Sequence, residues 1–259
     1  MRLEHGIAAA TLVAAVACAH PSSQSASREA VVAAPGESHL AGVRQLTHGG
    51  ANAEAYFSSS GKQLIFQSTR DGRSCDQQFI MNIDGSGVHR VSTGKGKTTC
   101  GYFFAYDKKI FFASTHAADT ACPPRPDPSK GYVWGLDPFD IYTADADGSH
   151  LARLTKYGVY TAEGTLSPDG RTIVFTSLKD GDLDIYTMNV DGSNVRRLTN
   201  TPGYDGGAFF SPDGTKIVYR AWHPTDTALT NYQQLLHEGM VRPNRMAIWV
   251  MNADGSDQH

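Results

Sequence analysis

From residue 43 onward the chain sets apolar against polar positions in short runs bounded by turn residues, a period of two that predicts β-strands. Four runs are near-copies of one another: FIMNIDGS, IYTADADGS, IYTMNVDGS and IWVMNADGS, each an alternating strand closed by Asp-Gly-Ser at Asp84, Asp147, Asp191 and Asp254. Asp-Gly suits the centre of a type I′ turn, where both residues need φ > 0, so each copy predicts a hairpin. The first three copies lead into the return strands RVS, RLT and RLT. A second hairpin lies between them, in AYFSSSGKQLIFQS, GYFFAYDKKIFFAS, GTLSPDGRTIVFTS and AFFSPDGTKIVYRA. In its last two copies Ser-Pro-Asp-Gly puts proline where φ near −65° is wanted and glycine where the chain reverses.

Together the two hairpins make a four-stranded antiparallel unit, and the Asp-Gly-Ser turns recur at spacings of 63, 44 and 63 residues. The middle value is the bare unit. A four-stranded repeat of about 40–45 residues is the period of a propeller blade, which buries both faces only when neighbouring blades stack on it. The expected fold is all-β: a β-propeller of four-stranded antiparallel blades, with four blade-like repeats present.

The recurring residues R-L-T, S-P-D-G-x-x-I-V-F-T-S and D-I-Y-x-M-N-x-D-G-S resemble the TolB-type, WD-repeat-like β-propeller repeat, across residues 43–259. The resemblance implies a ring that is commonly six-bladed. Four units then fit either part of a longer six-bladed ring, the favoured reading, or a small ring in which the orphan strand RQLT (Arg44 to Thr47) completes the fourth blade. It also implies a binding role with envelope lipoproteins or periplasmic transport assemblies.

Residues 1–17 read as an export signal, with Arg2 in the n-region and an apolar stretch from Ile7 to Ala17 too short to span a bilayer. Ala15-Val16-Ala17-Cys18 resembles a bacterial lipobox, which makes Cys18 the expected lipidation site and the periplasm or outer membrane the expected location. An ordinary cleaved signal peptide is the alternative. Residues 18–42, rich in Ser, Ala and Pro without periodicity, read as a flexible tether.

A formal net charge of −3 leaves no basic excess to neutralise phosphates, so nucleic acid is not an expected partner. Export permits disulfides, and three cysteines follow Cys18: Cys75, Cys100 and Cys122. If strands A to D run outward from the channel, the A–B and C–D turns share one face and the B–C and D–A loops share the other. All three cysteines fall on the loop face. Cys100 against Cys122 or Cys75 is the expected staple, with free thiols as the alternative.

Both 63-residue repeats owe their length to B–C insertions, residues 116–139 and 223–245, on that same face. The first holds CPPRPDP and is expected to be irregular. In the second, Leu229, Tyr232, Leu235 and Leu236 share a helical face and Gly239 supplies a stop. Insertions gathered on one face of a repeat fold mark its binding surface. Aligning the strands places Arg70, His116, Lys179 and His223 at equivalent B-strand ends. Glu54, Cys100 and Glu163 align at the A-strand starts, with Asp205 near that level. These residues outline a candidate binding rim at the channel mouth, set against a plainer reading as loop ends that pair locally.

Other motifs fail on their context. Gly94-Lys95-Gly96-Lys97-Thr98 ends like a phosphate-binding loop, but Val91 stands where its first glycine belongs and a strand follows. The Asp-Gly runs lack the later glutamate of a calcium loop. No Gly-x-Ser-x-Gly elbow, metal-ligand spacing or cofactor motif is found. The expected function is therefore non-catalytic: an exported propeller that binds a protein or peptide in the cell envelope and meets the membrane only through its N-terminal anchor. The alternative is the propeller part of an enzyme, either similar to metal-dependent sugar lyases or to the gating propeller of prolyl-oligopeptidase-type peptidases.

Overall fold

The computed structural model describes residues 36–259, so the signal, Cys18 and most of the tether lie outside the described residues. The chain divides into two units at Gln45 and Leu46. Residues 36–45 of the first unit form no named strand or helix.

The second unit is nearly all β and is laid out as four antiparallel blades in a propeller arrangement. Blade 1 is β1 (Asn52–Phe57), β2 (Gln63–Ser68), β3 (Gln77–Asn82) and β4 (His89–Arg90), hydrogen-bonded in that order. Blade 2 starts with β5 (Thr98–Phe104) and β6 (Lys109–Ser114). A long connection holding β7 (Trp134–Gly135) then leads to β8 (Asp140–Asp145) and β9 (Ala152–Arg153). Blade 3 is β10 (Thr161–Leu166), β11 (Thr172–Ser177), β12 (Asp184–Asn189) and β13 (Arg196–Arg197). Blade 4 has β14 (Tyr204–Phe210) and β15 (Lys216–Trp222), then α1 (Asp226–His237) and β16 (Met240–Val241), and last β17 (Ala247–Asn252). The helix expected in the second insertion is α1, the one α-helix among the described residues. It is followed by Gly239 at φ +71°.

Alternation decides which face meets which neighbour. Ile65 and Ile80 of blade 1 pack on Phe103, Ile110 and Phe112 of blade 2. Phe111 and Ile141 on the other side of blade 2 meet Ile173 and Phe175 of blade 3. Val174 and Ile185 of blade 3 meet Ala208, Ile217 and Tyr219 of blade 4. Each such fully buried side chain contributes about 1.5–3 kcal/mol relative to exposure, so the cores between blades, not the hydrogen-bond ladders, hold the blades together.

The Asp-Gly-Ser turns differ from expectation in their geometry. Only the glycines have positive φ, +84°, +86°, +84° and +90° at Gly85, Gly148, Gly192 and Gly255; the preceding aspartates do not. Gly85 N–H donates to Asn82 O at 2.8 Å, and Asn82 N–H to Ser86 O at 2.9 Å. That pattern is a type I turn followed by a left-handed glycine, the three-residue hairpin loop with a bulge. Aspartate is there for its carboxylate, which accepts from the serine N–H at 2.9 Å in all four copies. A Cβ on Gly148 would stand 2.6 Å from Val91 O of the preceding link, so this glycine also lets successive blades approach.

The D-I-Y and R-L-T fragments explain each other. In blade 2 the Arg153 guanidinium and the Thr155 hydroxyl both donate to buried Asp140, and Thr155 Oγ1 accepts from Ile141 N–H at 2.9 Å. Blade 3 repeats the clamp with Arg197, Thr199 and Asp184. Blade 1 makes a neutral version in which Ser92 donates to Gln77 at 2.7 Å. The motif ties the outermost strand of a blade to its neighbour and is spent on structure.

Candidate functional site

Each innermost strand carries a bulge at the same place. Register shifts fall between Ala53 and Tyr56, Thr99 and Tyr102, Ala162 and Thr165, and Gly206 and Phe209. At each bulge one residue is left-handed: Glu54 (φ +50°), Cys100 (+51°), Glu163 (+55°) and Gly207 (+62°). Non-glycine residues enter this region rarely and at a cost, so three of four doing so marks positions held for what their side chains reach. Two adjoining cavities, of about 310 and 340 Å³, share Glu54, Cys100, Glu163 and Arg220.

Glu163 is the hub. Its Oε2 accepts from Thr176 Oγ1 and Gly207 N–H, each at 2.8 Å, and its Oε1 pairs with Arg220 Nη2 at 3.1 Å. Gly207 makes this possible, because a Cβ there would sit 2.4 Å from Arg220 Nη2. Blade 4 thus omits its own side chain from the ring of bulge residues and fills the place with a guanidinium. Burial works against the Arg220 charge, but Tyr204, Glu163 and Tyr160 outweigh it and hold its pKa above the usual value. Cys100 is a poor nucleophile: burial, then Glu163 and Glu54, push its thiol up to about 12. Glu54 receives the Tyr56 hydroxyl at 2.8 Å. Burial, then this bond, raise the Tyr56 pKa.

The two insertions meet above these cavities. Strands β7 and β16 pair antiparallel, Trp134 with Val241 and Gly135 with Met240, which joins a connection of blade 2 to one of blade 4. Lys130 pairs with Glu238 at 2.6 Å, and Arg242 Nη2 donates to Lys130 O at 2.8 Å. Beneath this cap Tyr232 is buried with Leu183, Tyr204 and Val241, and its hydroxyl donates to Asp182. Trp134 lies over the Arg220 guanidinium, 5.2 Å from ring to carbon, and edge-on to Tyr204. Cap and channel therefore meet at one cation–π contact.

The expected rim divides in two. Glu54, Cys100 and Glu163 come together, as aligned. Arg70, His116, Lys179 and His223 are equivalent to one another but turn back over their own blades. Each covers an aromatic of the third strand: Arg70 lies 5.3 Å from Phe79, His116 4.3 Å from Tyr142, Lys179 5.8 Å from Tyr186 and His223 4.9 Å from Trp249. Those aromatics pair with Phe66, Phe112, Phe175 and Tyr219 on the second strands. Asp205 belongs one step away from the bulge, buried against His223 Nε2 at 2.9 Å. Its counterpart in blade 1 is Asn52, which receives Arg70 at 3.2 Å in the same manner. Burial, opposed by His223, raises the Asp205 pKa.

The disulfide also corrects the expected staple. Cys75 pairs with Cys122, with Cα atoms 5.8 Å apart, and Cys100 is free. The bulge turns Cys100 inward to the cavity, away from the loops that carry the other two. The pair Cys75–Cys122 ties the second-to-third-strand loop of blade 1 to the first insertion. Among the described residues, no group of His, Cys, Asp and Glu is placed to hold a metal ion.

Sequence reasoning does not single out Arg220 or Trp134. A signal for Arg220 exists: it occupies the position of Gln67, Ala113 and Thr176 and is the one charge among them, opposite the one bulge glycine. A larger groove, about 520 Å³, runs between the turns of blades 3 and 4, but Asp169 and Asp213 within it are spent on their own turns.

Comparison with known proteins agrees with this geometry. Residues 135–240 match the family described as TolB beta propeller domain. Among solved structures, a protein described as a TolB of Agrobacterium tumefaciens is 20% identical with a TM-score of 0.59, over 80% of this chain and 63% of its own. TolB from Acinetobacter baumannii is 16% identical with a TM-score of 0.57, over 81% of this chain and 43% of its own. The chain thus spans less than two thirds of the length of either. No curated protein matches it. The repeat, the blades and these likenesses agree on the fold, a β-propeller similar to that of the TolB structures, with residues 135–240 carrying the family match.

Proposed function

We propose that this propeller is an exported, non-catalytic binding module that holds a protein or peptide of the bacterial cell envelope at the capped end of its inner cavity. The observation that carries the reading is the junction of the two insertions above the bulge residues. A scaffold that tolerates long loops anywhere has here two that pair with each other over Glu54, Glu163 and Arg220. The cavity supplies what a recognition site needs: aromatic walls from Tyr132, Trp134 and Tyr204 with a few fixed polar groups. The high thiol pKa of Cys100 speaks for binding over nucleophilic chemistry.

Exchanging residues 116–139 and 223–245 for short hairpin loops is expected to abolish capture of envelope partners in a pull-down while the β-sheet circular dichroism persists. Unchanged capture would remove the proposal. For the anchor, Cys18→Ser is expected to move the protein from the membrane fraction to the soluble one. A variant that still sediments with membranes would show that Cys18 carries no lipid.

A further inference from the structure

The arginine of the fourth strand has a fixed use in blades 2 and 3 that blade 1 denies it. Arg90, Arg153 and Arg197 stand in equivalent registers, opposite Phe79, Tyr142 and Tyr186. Each donates its Nε to the carbonyl two residues on: Ser92 O, Thr155 O and Thr199 O. In blades 2 and 3 a terminal nitrogen then pairs with a buried aspartate of the same blade, Asp140 or Asp184. Blade 1 has Gln77 at that position. Its neutral amide donates to Gly96 O, and its oxygen accepts from the Ser92 hydroxyl and Gly94 N–H, so nothing is left to neutralise Arg90. The cause lies inside blade 1. Arg153 and Arg197 each have a preceding blade in place and still hydrogen-bond only within their own, so this position draws its counter-charge from its own blade.

A second guanidinium comes to the same spot. A Cβ on Gly94, itself at φ +83°, would stand 3.0 Å from Arg90 Nη1 and 3.3 Å from Arg73 Nη1. Glycine thus keeps open the point on which both side chains converge. Arg73 Nε is buried without a hydrogen-bond partner, and among the described residues no carboxylate oxygen lies within 4.0 Å of either guanidinium. Like charges this close repel each other unless an anion joins them.

Arg73 and Gly94 line a cavity of about 560 Å³ between the second-to-third-strand loop of blade 1 and the first insertion, with Thr120 and the Cys75–Cys122 disulfide in its wall. It shares no lining residue with the inner cavities. The loop around Gly94 adds no donors of its own. The N–H groups of Gly94, Lys95 and Gly96 are spent on Gln77, Thr93 and Thr120, and Lys97 is spent on Asp137. The positive charge is therefore that of the two arginines, whose forked donors suit an anion with several acceptor oxygens and a double negative charge.

We infer that Arg73 and Arg90 hold a phosphate group over Gly94, either inorganic phosphate or the phosphomonoester end of a larger molecule for which the cavity has room. This site does not depend on the proposed envelope partner.

The test is isothermal titration calorimetry of the full-length chain at fixed ionic strength with inorganic phosphate, glucose 6-phosphate and acetate. A saturable isotherm is expected with the phosphates and none with acetate. Tighter binding of inorganic phosphate points to the free ion as ligand, and tighter binding of the ester to a phosphomonoester. Arg73→Gln and Arg90→Gln are each expected to weaken binding about tenfold or more. Gln77→Asp keeps both arginines but sets beside Arg90 the carboxylate that blades 2 and 3 use, and it is expected to weaken binding as much. The inference is overturned if neither phosphate gives saturable heat, if acetate binds as tightly as phosphate, or if any of the three variants, folded by circular dichroism, binds as the wild type does. Should Gln77→Asp unfold the chain, the two arginine variants decide alone, since no carboxylate of the fold holds either guanidinium.

Discussion

Glu163→Ala is expected to destabilise the protein by about 2–4 kcal/mol, because it removes the shared acceptor of four donors: the Gly207 N–H, the Thr176 and Tyr204 hydroxyls and the half-buried Arg220 guanidinium. Urea denaturation measures it directly. The loss has a second expected sign, since Arg220 is also the group that Trp134 covers. Without its counter-ion the guanidinium is free to leave the ring, and proteolysis within residues 116–139 should quicken. Arg220→Ala removes the stranded charge along with its partner. The double variant Glu163→Ala/Arg220→Ala is therefore expected to be more stable than the sum of the two single losses predicts. A Glu163→Ala protein within about 0.5 kcal/mol of wild type would mean the hub has no energetic weight.

The second large effect belongs to a turn. Gly148→Ala is expected to cost about 2–4 kcal/mol, while Gly170→Ala costs only about 1 kcal/mol. Both glycines are left-handed, at φ +86° and +71°, so both substitutions incur the same conformational penalty. They differ in surroundings: a Cβ at position 170 meets nothing within 4 Å, but one at position 148 meets the backbone of the link at Val91. Melting temperatures of the two variants separate the terms. Equal losses would show that the Asp-Gly-Ser glycine answers only to its own turn and not to the packing of blade on blade.

The blades were legible in the sequence because a strand period of two and a recurring turn are local signals, and four copies average out their irregularities. The type I′ assignment missed for a local reason as well. Asp-Gly satisfies two hairpin geometries, and what separates them is the sign of φ at the aspartate, which residue identity does not advertise. The aligned bulge residues Glu54, Cys100 and Glu163 came together as the repeat predicts. Arg70, His116, Lys179 and His223 were equally well aligned, yet alignment gives a level along the blade and not a direction. Their direction is set by the third-strand aromatics Phe79, Tyr142, Tyr186 and Trp249, which offer a ring face at the distance these side chains span. Cys100 departs from the expected staple for the same cause, since the bulge that turns it inward shows only as a register shift between paired strands. Trp134 and its partner Val241 are 107 positions apart in the chain, so no window of sequence contains their meeting.

That last pairing bears on how the blades can come apart. Lys130 and Glu238, 108 residues apart, sit on the connections of blades 2 and 4, so their contact closes a loop that contains the whole of blade 3. The roof is thus a clasp across three blades. Prising blade 3 from either neighbour has to strain that clasp as well as the apolar seam between the sheets.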